Sequence, residues 1–558
     1  MTKRFRDCNL DQMFVLPPSF HKWLPENHLA PFIADVMDEL DLAAFYAKHE
    51  GDGRGRAACD PLMMTRLLLY GYCTGVTSSR RIERATYDDL AFRYLAANQQ
   101  VDHATIAAFR REHGKALADL FLQVLRVCEK AGLVKLGNVA IDGTKILANA
   151  STRRSVPYKK LQEREKYWEK VIADLLAAAE QTDTQEDQRY GPGQPADPLP
   201  PDLATAQSRL EKIRQAIAAL EQEAREHLEE LERQAQAQKQ AAASKDAPAV
   251  PEAPADQAKP SAANRSRQRD KAKKQLKRAR QNADSPARQY NFVDPDSRVM
   301  PDSRHKKSFV QAYNAQVAAD SHAQVIVAAA VTQQVNDKQQ LVPMIQAVKG
   351  NTGRNPDVAT ADCGYWGTDS LLDSALEGIE ILVPPDAQPP PPGGSLPASA
   401  PNNAEAQQMR AVLATDAGRK KYGLRKTIIE PVFGQIKEGR NIRRFRMRGL
   451  ELVSCEWTFI CTTHNLLKLH KHRYPKPKPQ ARTKRTKRGE RKQREANAAF
   501  CSHRRSPRRF GSTPAYSSQR ANRRSGPPPT NRFSIFDKLS GCPRSPAPVR
   551  PFAPRAVC

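Results

Sequence analysis

The 558-residue chain has no apolar run of the roughly 18 to 20 residues that a membrane-spanning helix needs; its most apolar stretch, residues 62–76, is interrupted by Arg66. No membrane partner is therefore expected. The amino terminus lacks the apolar core of a secretion signal, because the basic residues 1–6 are followed by Asp7 and Asp11. A cytoplasmic protein is the expectation. Cysteines are few: ten are scattered singly with no CxxC pair, which excludes a disulfide scaffold or a zinc ribbon and favours reduced thiols. Acidic residues are almost missing from residues 473–558, where 23 Lys and Arg face Glu490, Glu495 and Asp537, so this tail holds +20 of the net +28. Such an excess points to a polyanionic partner, nucleic acid first.

What is present reads as several units, since single cores rarely exceed roughly 250 to 300 residues. Residues 1–130 are read as an all-α domain, with apolar positions at helical steps in Ile33, Val36 and Leu40 and in Phe121, Val124 and Val127. A short β-rich run at 133–142 follows and ends on Asp142. Residues 151–289 form an insertion: two charge-laced helices at 158–180 and 203–243, expected as an antiparallel hairpin within one chain turning near Gly191, Pro192 and Gly193, with an intermolecular coiled coil as the alternative, then a basic linker. Strands are expected at 309–319, 323–332, 357–361 and 379–383, and helices at 338–348, 370–376 and within 404–470. The order strand, insertion, strand, strand, helix, strand, helix, strand, helix is that of an α/β ribonuclease-H-like domain with a mixed five-stranded sheet, spanning 131–150 plus 290–472. The tail, 473–558, is too polar and basic to fold alone and is expected to be disordered.

Three carboxylates sit at telling places: Asp142 at the end of the first strand, Asp362 at the end of the fourth, and Glu430 on the last major helical segment. The two Asp-bearing strands would be neighbours. Hard oxygen ligands in that arrangement suit two Mg²⁺ (or Mn²⁺) ions, which take few carboxylates and leave sites for water and phosphate. Two such ions about 4 Å apart can activate one oxygen of a phosphodiester reaction and stabilise another.

The words around these acids carry a resemblance. Ala140-Ile141-Asp142-Gly143-Thr144-Lys145, Ala361-Asp362-Cys363-Gly364-Tyr365-Trp366 and Glu430-Pro431-Val432-Phe433-Gly434-Gln435-Ile436-Lys437 resemble the acidic motifs of bacterial insertion-sequence DDE transposases. The group is the one whose last motif is Tyr-x2-Arg-x3-Glu-x6-Lys. Gly51 to Arg56, Asp102-His103-Ala104-Thr105-Ile106, Asp294-Pro295-Asp296-Ser297-Arg298 and Thr463-His464-Asn465-Leu466-Leu467 extend it. The resemblance implies a metal-dependent enzyme that cuts the 3′ ends of its element at terminal inverted repeats and joins them to target DNA, working at least as a dimer. It implies that Asp142, Asp362 and Glu430 are catalytic metal ligands and that Tyr422 and Lys437 serve DNA. Arg425 keeps the spacing from the tyrosine and Lys426 the spacing to the glutamate, so either stands for the family's arginine. Pro431 is expected to start or bend the helix there.

Residues 86–97, a polar turn and a helix from Asp102 to His113 have helix-turn-helix proportions, offering Thr105, Arg110 and Arg111 to DNA, with plain core packing as the alternative. Cys455, Cys461, His464, His470 and His472 are read as part of a core helix rather than a zinc site. A catalytically decayed relic that binds DNA and inhibits related transposases is the other functional reading.

Overall fold

The computed structural model describes residues 19–47, 59–190, 201–243, 277, 280–281, 288–302, 308–386, 401 and 403–475. The motif at 51–56, the turn at 191–193, the linker at 244–276 and the tail from 476 onward lie outside the described residues. Among the described residues eight helices build the amino-terminal region, two of them single turns (Phe20–Trp23 and Ala43–Tyr46) and six longer: Leu29–Asp38, Pro61–Thr74, Ser79–Asp88, Leu90–Leu95, His103–Glu112 and Gly114–Lys130. Pro61–Thr74 starts cleanly because Asp60 accepts a hydrogen bond from the Leu62 amide and Pro61 occupies the first turn, where no amide donor is needed. It is the central helix of this region, buried at Met64, Leu67, Leu68, Leu69 and Tyr72. Gly114–Lys130 packs along the last helix, Leu450–Arg473, so Leu120 and Val124 share one apolar core with Trp457, Ile460 and the sheet.

Eight strands follow among the described residues: β1 (Asn138–Leu147), β2 (Ser155–Pro157), β3 (Gln289–Asn291), β4 (Arg298–Pro301), β5 (Phe309–Asp320), β6 (Ile326–Thr332), β7 (Val358–Thr360) and β8 (Glu380–Leu382). β1 pairs antiparallel with β5 and parallel with β7, and β7 runs parallel with β8; β4 and β6 share the other edge of β5. β2 and β3 form a separate pair at the base of the insertion. The sheet is therefore mixed, as expected, but has six strands rather than five. The addition is β4, a four-residue strand ending in Pro301, too short to announce itself by alternation.

The first strand also differs from its expectation. It starts at Asn138, because the buried Asp320 carboxylate holds the Lys135 and Leu136 amides at 2.7 and 2.6 Å and fixes Leu136 at φ +60°, outside strand geometry. It runs past Asp142 to Leu147, because β5 supplies partners as far as Ala312. The helix expected at 370–376 is two short turns, Thr368–Leu371 and Ser374–Leu376, the second capped by Asp373.

Pro431 neither starts nor visibly breaks its helix: Asp416–Gly434 is continuous and then widens into a π turn, Gln435–Gly439. A proline there deprives the Thr427 carbonyl of its helical donor. The Gln324 side chain supplies the replacement, its Nε2 donating to Thr427 O at 2.9 Å. The inserted helices Tyr158–Tyr190 and Pro201–Ala243 pack against each other, Arg214 pairing with Glu165 and Glu169 while Tyr158 bonds Glu221. As the partner number rises from 214 to 221 the other arm falls from 169 to 158, so the arms are antiparallel. A small satellite core of Val156, Leu161, Ile213, Ala216 and Leu220 closes their base.

Two motifs find structural roles. Asp294 accepts from Tyr313 Oη and the Gly449 amide, and Asp296 accepts from the Leu450 amide at 2.8 Å, placing both acids at the amino end of Leu450–Arg473, where the helix dipole favours negative charge. Asn465 bonds both the amide and the carbonyl of Ile326 at 2.8 Å, tying that helix to the edge strand β6.

Candidate active site

Asp142 and Asp362 are brought together by strand register. Ala140 of β1 pairs with Thr360 of β7, and each aspartate lies two residues further on, so the two side chains emerge on the same face of adjacent parallel strands. Asp362 is fixed by the start of a 3₁₀ turn, where its carboxylate accepts from the Gly364 amide at 2.9 Å. Asp142 accepts from its neighbour, the Gly143 amide, at 2.8 Å.

Across from them stands Arg425, whose Nη1 lies 2.9 Å from Asp142 Oδ2, both side chains being mostly buried. Tyr422, one helical turn earlier, is half-buried beside Arg425; burial raises its hydroxyl while the guanidinium pulls the other way. Burial pushes the Asp142 carboxyl up to about 6; the Arg425 guanidinium pulls the other way and Asp362 adds to the rise. Burial raises Asp362 as well, against the pull of Arg425 and with Asp337 adding to it. Two acids held out of water at close quarters raise one another's proton affinity, and a cation in their midst relieves both.

Asp337 is the residue that sequence reasoning missed. Its Oδ1 accepts from Asn314 Nδ2 at 2.7 Å and from Gln316 Nε2 at 2.6 Å, both on β5, and Tyr365 Oη donates to Gln316 Oε1. Asp337 lies in an irregular polar loop, where no periodicity marks it. This network explains Gly143: a Cβ there would overlap Gln316 Nε2 and lie 2.7 Å from Asp337 Oδ1. Gly143→Ala is expected to cost about 1 to 3 kcal/mol of stability through overpacking and to displace Asp337. Chemical denaturation checks the first effect, and a stability change below about 0.5 kcal/mol would show that the loop simply gives way.

The other expected residues are placed less centrally. Glu430 is exposed, on the same helix as Arg425 but five residues on, which is about 140° around an α-helix. With Arg425 turned toward Asp142, the Glu430 carboxylate cannot also face the two aspartates in this arrangement. Lys426 is exposed, so Arg425 is the basic residue that enters the site. Lys437, in the π turn, donates to Thr144 Oγ1 on β1. Among the described residues, the group of acids and histidines whose ligand atoms all lie within 4.8 Å of one another is Glu83, Asp102 and His103, not the carboxylates of the sheet. There Asp102 caps the helix His103–Glu112 and His103 Nδ1 meets Glu83 at 2.9 Å.

In the helix-turn-helix region the structure corrects one expectation. Thr105 and Arg111 are exposed, but Arg110 is buried, its Nη1 donating to Tyr72 Oη at 3.1 Å and to Thr77 O at 2.9 Å. It is four residues beyond Ile106, on the apolar face, a spacing that could have revealed this. The first helix of the unit is also two, Ser79–Asp88 and Leu90–Leu95, because Asp89 caps a new start. The histidines near the end are spent on backbone: His464 Nε2 meets Gln324 O at 2.9 Å, its burial pushing it down to about 3, and His470 Nε2 meets Asn27 O. Tyr365 and Trp366 are core residues.

Comparison with known families gives two matches. A family model described as a transposase domain (DUF772) matches residues 18–112, the helical region. A second, described as a transposase DDE domain, matches residues 397–470, which include Tyr422, Arg425, Glu430 and Lys437 but neither aspartate strand. No curated protein and no solved structure matches the chain. The two matches, both to transposase models, lie on either side of the strand pair that aligns Asp142 with Asp362.

Proposed function

We propose that the protein is a metal-dependent transposase of the Tyr-Arg-Glu-Lys group, cutting DNA at the ends of its element and joining them to a target. The observation that carries this reading is the register alignment of Asp142 and Asp362 on adjacent parallel strands, with Arg425 beside them. The strand order β6-β5-β1-β7-β8, with β5 antiparallel to its neighbour β1 and with β1, β7 and β8 parallel, supports a ribonuclease-H-like catalytic domain.

The donor set fits the implied metal. Asp142, Asp362 and nearby Asp337 offer only hard oxygen atoms, against a single guanidinium, and burial leaves the first two short of positive charge. Asp142 and Asp362 are the residues of this arrangement that would hold Mg²⁺ or Mn²⁺, and Glu430 would join them as third ligand only by turning inward from its exposed place on the helix. Bound there, such ions supply an activated oxygen nucleophile and stabilise the leaving oxygen. The protein's own share is to keep the acids apart from bulk water, to neutralise part of their charge through Arg425, and to offer Arg425 and Lys437 to DNA phosphate. Thr105 and Arg111 serve DNA from the helical region, and pairing two element ends calls for at least a dimer. Among the described residues no helix is long and apolar enough to cross a membrane.

A second reading, a decayed DNA-binding relic that inhibits its relatives, draws on the exposure of Glu430 and the hold of Arg425 on Asp142. Cleavage of DNA carrying the inverted repeats that flank the gene separates the two. The active enzyme is expected to cut at the repeat ends with Mg²⁺ or Mn²⁺ and to stop when EDTA removes the metal. Binding without cutting, in either metal, would leave the relic.

A further inference from the structure

Outside the carboxylate site, a cavity of about 530 Å³ opens where β1 ends. Arg154, Arg444 and Arg448 line it with Asn149, Gln311 and Phe309, and no acidic side chain does. None of the three arginines makes an ion pair among the described residues. Arg448 is oriented by its Nε bond to Asn149 O at 3.1 Å, while Arg154 and Arg444 stand exposed. Phe309, at the start of β5, leaves 63% of its surface in water, an unusual outlay of aromatic area beside three guanidiniums.

The cavity is joined to the carboxylate site by backbone. Leu147, which lines it, is five residues beyond Asp142 on the same strand, about 17 Å away. Arg444 is bridged to Leu147, and Leu147 N bonds Arg443 O at 3.0 Å, so the segment following Lys437 forms one wall. A ligand that suits this cavity carries negative charge and a flat apolar face, and is about the size of one nucleotide. A duplex offers its phosphates but hides its base faces within the stack, and would leave Phe309 without a use. An unpaired strand offers both, phosphate to the guanidiniums and base to the ring.

We propose that this cleft binds an unpaired nucleotide of the DNA strand leading away from the cut site, its phosphate on Arg154 and Arg444 and its base stacked on Phe309. The proposal rests on the transposase reading and adds a single-strand subsite about five stacked nucleotides, or fewer if the strand is extended, from the carboxylates.

The test is fluorescence anisotropy on the full chain in EDTA, so that no cutting intervenes, with a blunt duplex and with the same duplex bearing a single-stranded extension. Phe309→Ala is expected to weaken binding of the extended probe roughly tenfold and to leave the blunt probe within about twofold. Arg154→Ala and Arg444→Ala are each expected to lower the slope of log affinity against log salt by about 0.7 on the extended probe. All three side chains are exposed, so the variants should fold. Equal losses on both probes would overturn the proposal in favour of a duplex-backbone contact, and unchanged binding by all three would remove the cleft from DNA recognition. A wild-type protein that binds neither probe would overturn the transposase reading along with it.

Discussion

Asp142→Asn is expected to abolish end cutting, by about a thousandfold or more, while the variant melts no lower than the natural protein at neutral pH. The loss follows from removing one of two register-aligned ligands, since metal activation contributes several kcal/mol to such reactions. The retained stability follows from the electrostatics. The carboxyl rises to about 6 in the folded chain, above its ordinary 3.8, because burial penalises its charged form more than Arg425 rewards it. Between about pH 4 and pH 6 the folded chain therefore binds more protons than the unfolded one, and this group's contribution to stability falls as pH rises through that window. At pH 7 its ionised form opposes folding by on the order of 2 to 3 kcal/mol, and the neutral amide escapes that penalty. The gap between the two proteins should narrow as pH falls through that window and vanish below about pH 4, where Asp142 is neutral in the folded and the unfolded chain alike. Melting curves across pH 4 to pH 8, run without metal, read this directly. A variant that unfolds well below the natural protein at pH 7 would mean that the Arg425 pair outweighs burial, and a variant that still cuts would remove Asp142 from the metal site.

The site's two aspartates were legible because each closes an apolar run that reads as a buried strand, and buried parallel strands are local in sequence. Strand length was not, because β1 begins where Asp320, from a distant hairpin, captures two amides, and ends where β5 ceases to pair. Asp337 was invisible for a related reason: its place is defined by Asn314 and Gln316, which lie more than twenty residues away and point at it only once β5 is built. Pro431 looked like a helix breaker by local rules. It is tolerated because Gln324, itself held at φ +59° with its carbonyl facing His464, offers an amide to the stranded carbonyl. Between Arg425 and Lys426 spacing alone left a tie, and packing broke it: only Arg425 turns inward to Asp142.

Arg110 and Arg111 should behave as opposites, although they are adjacent and of one type. Arg110 is 7% exposed and donates to Tyr72 Oη, which donates in turn to the buried Glu456 at 2.7 Å; the other Glu456 oxygen takes the Arg446 and Met447 amides. This chain of bonds runs from the helix His103–Glu112 through Pro61–Thr74 to Leu450–Arg473, tying the amino-terminal helices to the helix that covers the sheet. Removing the guanidinium leaves Glu456 as a buried charge without its cationic counterpart and the Thr77 carbonyl without this donor. Arg110→Ala is therefore expected to cost about 3 to 5 kcal/mol of stability. Arg111→Ala, at an exposed position, should stay within about 0.5 kcal/mol, yet lower the slope of log DNA affinity against log salt by about 0.9 if it meets a phosphate. Urea unfolding and salt-dependent DNA binding, measured on both variants, separate the two roles. Should Arg110→Ala instead fold normally and lose DNA affinity, the buried chain through Tyr72 and Glu456 would not be what joins these helices, and Arg110 would return to the surface of a helix-turn-helix.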